Sequence, residues 1–360
     1  MTMRTSQDFS AHLRSLRDDP QSVARSIAAS GERVVGYVGN DVPVALILAA
    51  NAVPVRLRCN PQASPSHADL FVESSFSPEL RIIASQWVQG ALDHLHSVVF
   101  ARSDDSGQRL YYYLCELQRR GLCAGPRPLL FDVAGLARNA SFEHTLESTR
   151  TLASQLGVAA DAVARSRGRV AQREDLLSAV RVQRLLSAPL AGSAARAIEY
   201  AAACDWRTSF DEAARDWLTT AVPLSAPKRV LLAGDPVPDD QLHTAIEAGG
   251  GTVVAELTES TGTGRRQGGD PLVGIAEEFQ ERESPALSMR KNAHWISEYA
   301  VSHRADAVVV WLSEQNEALP WEIARQMESL RAGGIRALLL ARQPWHIAPA
   351  VLNRITEFCR

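Results

Sequence analysis

"VVFARSDDSGQRLYYYL", residues 98–114, runs from an unbroken apolar stretch through a polar turn into a segment with helical spacing. A strand with no polar alternation has no wet face, so it belongs in a parallel sheet covered by helices on both sides. Ser103, Asp104 and Asp105 fall where the strand becomes a helix. In open α/β sheets that carboxyl-terminal edge is where ligands are held.

The same pattern recurs along the chain. Strands are expected at 33–39, 53–57, 97–101 and 128–133 in the first half, and at 229–234, 252–257, 307–312 and 336–341 in the second. Helical segments separate them. Pro43 suits the start of one. Asp239 and Asp240 suit the first turn of another, which the glycines at 249–251 stop. A third ends at Gly333 and Gly334. Each half therefore reads β-α-β-α-β-α-β, a repeat of architecture and not of close sequence. Residues 141–222 are rich in Ala, Arg and Leu at helical spacing, and 207–218 reads as a helix capped by Thr208 or Ser209 ahead of Asp211 and Glu212. The expected fold class is α/β: two Rossmann- or flavodoxin-like parallel-sheet lobes, 1–140 and 226–360, facing a cleft, with a helical connector at 141–225.

Composition narrows the function. The 360 residues are 46% hydrophobic and 22% charged, with a formal net charge of −3. Nothing in that balance points to a nucleic-acid or anionic-membrane surface. Lysine occurs only at Lys228 and Lys291, so a phosphate held by a side chain would meet a guanidinium. The N-terminal segment lacks the apolar core of a signal peptide, and no apolar run is long enough to span a bilayer. Five scattered cysteines fit a reducing cytoplasm. The loop 258–271 lacks G-x-G-x-x-G spacing, and "GDPVPDD" (234–240) lacks the Lys-Ser/Thr of a P-loop. His94 and His96, two residues apart, do not share a helical face.

Five stretches carry a resemblance: 34–57 ("VVGYVGNDVPVALILAANAVPVRL"), 77–85 ("SPELRIIAS"), 98–112, 229–257 and 305–322 ("ADAVVVWLSEQNEALPWE"). In this order, at strand ends, they resemble the D-component of the 2-hydroxyacyl-CoA dehydratase and benzoyl-CoA reductase family, from about residue 30 to the C-terminus. The resemblance implies a subunit of a lyase or reductase acting on a CoA thioester. In such a subunit three cysteines hold a [4Fe-4S] cluster that passes one electron into the thioester. Here the matching positions are Ser77, Ser103 and Asn316, and none is cysteine. Clusters are normally held by soft thiolates, so the expectation is no cofactor in this chain. The partner would be a homologous cluster-bearing subunit or a second copy, served by an ATP-dependent activator protein.

The candidate residues follow from these matches. Ser77, Ser103, Asp104 and Asn316 occupy or adjoin the lost ligand positions. Arg56, Arg81, Asp41, Asp235 and Glu314 are candidates for substrate binding, and Cys59 is the fallback metal ligand. Bland readings stay open beside these: helix caps for Ser103, Asp104 and Asp105, and ion pairs for Arg56 and Arg81. Two other functions stay open as well. One is a structural or regulatory subunit. The other is a repurposed enzyme working with Ser77, Ser103, Asp104 and Glu314 or Glu317.

Overall fold

The computed structural model describes residues 5–60, 63, 67–102, 105–134, 138–159, 161–225, 227–237, 239–258, 269–282 and 285–360. Ser103 and Asp104 lie outside the described residues.

Two helices, α1 (Ser6–Asp18) and α2 (Ser22–Ala29), precede the first sheet. Then come β1 (Val34–Val38), α3 (Val44–Ala49), β2 (Val53–Arg56), α4 (Pro78–Val88), β3 (Ser97–Ala101), α5 (Asp105–Arg119) and β4 (Arg127–Phe131). Four helices follow: α6 (Asn139–Leu156), α7 (Ala162–Leu185), α8 (Gly192–Cys204) and α9 (Thr208–Thr220). The second sheet is built from β5 (Lys228–Gly234), α10 (Gln241–Ala248), β6 (Gly251–Leu257), α11 (Pro271–Gln280), α12 (Pro285–Lys291), α13 (Trp295–Ser302), β7 (Ala307–Ser313), α14 (Leu319–Ala332), β8 (Arg336–Gln343) and α15 (Pro349–Cys359).

Both sheets have four parallel strands and the same winding. The first is ordered β2-β1-β3-β4 and the second β6-β5-β7-β8. β1 and β3 are buried at every position, which is why they read as apolar runs. Side chains alternate between faces. Val34, Val38, Val98 and Phe100 face one core, shared with α1, α2, α4, α5, α8 and α9. Val35, Tyr37, Val99 and Phe131 face the other. In the second sheet Val230 and Leu232 pack toward α10 and α15, while Leu231 and Ala233 pack toward α12, α13 and α14.

α11 follows β6 in the chain but packs on the first sheet. Ile275 and Phe279 join the Tyr37 and Phe131 core, and Gln280 Nε2 donates to Ala134 O at 2.7 Å. α7 and α8 link the two sheets as well, α7 packing on α3 and β6 and α8 touching both β2 and β6. α1 lies on α8 and α9, where His12 Nε2 meets the buried Asp205 Oδ2 at 2.9 Å. The 207–218 segment is helical as read, but its N-cap is Arg207 and no side chain caps it. Asp211 is instead buried against Arg173 Nε at 2.6 Å.

Candidate functional site

In each sheet the strand order reverses between its two central strands. That places a switch point at the carboxyl ends of β1 and β3, and a second at those of β5 and β7. Both are entered through a glycine with positive φ, Gly39 at 86° and Gly234 at 111°. At Gly234 a Cβ would lie 2.0 Å from Trp311 O, so glycine is what lets the chain turn there against β7.

The second switch point is the better defined. Asp235 N donates to Trp311 O at 2.8 Å, which swings the carboxylate across to the turn after β7. There Ser313 N donates to Asp235 Oδ2 at 2.7 Å, and Asn316 Nδ2 donates to Asp235 Oδ1. Asn316 Oδ1 in turn accepts from Ala318 N at 2.9 Å and Leu319 N at 3.0 Å, holding the turn that leads into α14, whose N-cap is Ala318. Asp235 and Asn316, widely separated in sequence, thus form one clasp. Burial raises the Asp235 pKa, and the donors from Ser313 and Asn316 oppose it. Glu314 is exposed and pairs with Gln315 Nε2 at 3.0 Å.

At the first switch point Asp41 is buried, and Arg282 donates to its Oδ1 at 3.2 Å and to Asn40 O at 3.1 Å. Arg282 lies just past α11 and stacks on Phe279 with 4.0 Å between guanidinium and ring centre. Ser77 is the N-cap of α4, its Oγ accepting from Leu80 N at 3.4 Å. Arg81 pairs with Asp69, which favours the ion-pair reading of that arginine. Arg56 ends β2 beside Tyr37, whose phenol is raised by burial and partly offset by the Arg56 charge. Cys59 is buried and its thiol is pushed well above the usual range, first by burial and then by Glu79. Cys204, also buried, is pushed up to about 12 by burial, with Arg58 and Arg56 opposing.

One arrangement escaped the sequence reading. His144 Nε2 lies 3.1 Å from Asp132 Oδ2, and Arg102 Nη1 lies 3.1 Å from Asp132 Oδ1. Asp132 directly follows β4 and Arg102 directly follows β3, so both stand on the carboxyl edge of the first sheet. His144 is supplied by the second turn of α6. No spacing rule joins these three residues. The only available hint was an aspartate just past a strand with a histidine on the next helix.

The family model described as 2-hydroxyglutaryl-CoA dehydratase, D-component, matches residues 40–343. The chain belongs to that family. Its fold is the two-sheet α/β architecture given above, and the family is described by one component of a dehydratase. No curated protein matches the chain. No helix among the described residues is long and apolar enough to cross a membrane.

At the two described positions that the resemblance matches to cluster ligands, Ser77 and Asn316, the side chains do not suit an iron–sulfur cluster. Ser77 Oγ is turned to a backbone N–H, and Asn316 has both ends of its amide committed. Cys59 and Cys204 are buried, and burial pushes both thiols up. Among the described residues no three His, Cys, Asp or Glu side chains gather as a metal site.

Proposed function

We propose that this chain is a thioester-binding subunit of a 2-hydroxyacyl-CoA dehydratase or benzoyl-CoA reductase-like enzyme, and that it carries no [4Fe-4S] cluster itself. The electron-transfer cluster would then reside in a homologous partner subunit, charged by an ATP-dependent activator. The observation that carries this reading is the Asp235–Asn316 clasp. An amide stands at a position where the resemblance implies a thiolate, and it is used to fasten the switch point. A cofactor carries the radical step in such chemistry, while the protein orients the substrate and excludes water. In this chain Arg56, at the end of β2 beside Tyr37, is a candidate for a CoA phosphate.

Thermal shift of the full chain with CoA thioesters tests the binding role, because a ligand of the folded state alone raises the melting temperature. Saturable stabilisation by thioesters, weaker with free CoA, supports it. No shift with any thioester, alone or with a co-purified partner, overturns it. A second reading, a repurposed clusterless hydrolase or lyase, is favoured by the His144–Asp132 pair beside Arg102, an arrangement suited to general-base work. Turnover of a thioester by the lone chain, lost on His144→Ala, would select that reading.

A further inference from the structure

Away from both switch points, a groove of about 240 Å³ lies between α1, α8, α9 and the turn that opens α10. Its apolar surface comes from Leu13, Ala194, Ala197, the Tyr200 ring and the Trp217 indole. No residue of the Asp235–Asn316 clasp lines it, nor do Ser77, Cys59 or Asp41.

The charges around it are not all paired with one another. Arg17 is 3.6 Å from the Asp240 carboxylate, and Asp239 accepts from Gln241 N at 2.9 Å. Arg196 donates to Val237 O at 3.0 Å and lies 3.8 Å from Glu256. Arg14, exposed at the groove's edge, has no hydrogen bond or ion pair among the described residues. Asp239 is held by neutral donors of Gln241, so Arg14 is the lining cation left without a partner among the described residues.

We propose that this groove binds a small organic anion with an apolar body, a medium-chain or aromatic carboxylate, seated against Trp217 and Leu13 with its carboxylate on Arg14. At the volume a liquid gives each small group, the groove takes about ten non-hydrogen atoms, which is too few for a whole CoA thioester. The site stands independently of the thioester reading.

Calorimetry and thermal shift on the full chain test it, with benzoate and hexanoate as probes, benzyl alcohol and 1-hexanol as neutral counterparts, and inorganic phosphate as the anion without a body. The carboxylates should saturate at one per chain, with the alcohols and phosphate about tenfold weaker or more, a charge-assisted contact being worth that much. Arg14→Gln should weaken carboxylate binding about tenfold and leave the ligand-free melting temperature unchanged. Ala197→Trp, which fills the groove, should abolish binding. If Ala197→Trp does not fold, Arg14→Gln still decides. The proposal is overturned if neither carboxylate binds at millimolar concentration, if alcohols or phosphate bind equally well, or if Arg14→Gln changes nothing.

Discussion

Replacing Asn316 by alanine removes three hydrogen bonds at once: the donor to Asp235 and the acceptor for Ala318 N and Leu319 N. Loss of the acceptor for these two N–H groups costs about 1 kcal/mol. Asp235 is 7% exposed, so the oxygen it leaves unpaired cannot turn to bulk water, which adds about 1–2 kcal/mol. Asp235 keeps its bond from Ser313 N, and for that reason the total should be about 2–3 kcal/mol and not more. Asn316→Ser keeps an accepting oxygen and should lose only the Asp235 part. Asn316→Cys, which restores the family's residue type, should cost as much as alanine, because a thiol is a weak donor and a weak acceptor. Urea unfolding followed by tryptophan fluorescence reads these differences, since Trp311 is buried at the end of β7 and its carbonyl accepts from Asp235 N. An alanine variant within about 0.5 kcal/mol of the parent, the range of an ordinary surface change, would refute the clasp. So would a cysteine variant as stable as the parent.

Three further outcomes follow from the same geometry. Burial opposes ionisation of Asp205, but hydrogen bonds from Arg207 and His12 outweigh it and hold its pKa at about 2. A depressed carboxyl contributes stability above its unfolded pKa and loses it as pH falls toward about 2. The parent should thus lose about 2 kcal/mol between pH 4 and pH 2 that Asp205→Asn does not, by urea midpoints across that range. A thiol titration of the native chain should find Cys59, Cys204 and Cys359 unreactive and all five cysteines reactive in denaturant, since those three are buried; fast native labelling of Cys59 would contradict its protonated, enclosed state. Gly234→Ala must fit a Cβ against Trp311 O at positive φ, and should cost more than about 2 kcal/mol or yield insoluble protein, whereas Gly157→Ala, with open space around it, should cost about 1 kcal/mol.

Strand positions were legible because parallel strands buried on both faces leave a β-branched run that little else produces. All eight lie within about two residues of where the runs put them. Pro43 and Gly249 mark helix ends as read. Contacts between distant residues were not legible. Arg282 and Asp41 are 241 residues apart, and nothing local announces that α11 crosses to the first sheet. The clasp shows the difference within one residue. Asn316 was found by pattern, as a position matching a ligand, but its local chemistry, an asparagine ahead of a helix start, is that of an acceptor for the turn's N–H groups. Ser77, followed by proline, carries the same double reading, and its Oγ points to Leu80 N. His144 and Asp132 were missed because their pairing depends on where α6 lands beside β4.

In this family member two of the matched ligand positions, Ser77 and Asn316, carry side chains turned to a helix start and to the switch-point clasp. Iron and acid-labile sulfide, measured per chain after anaerobic purification and attempted reconstitution, address that most directly. The expected result is no stoichiometric iron or sulfide, and no cubane signal on reduction. A full [4Fe-4S] complement bound by the lone chain would contradict it.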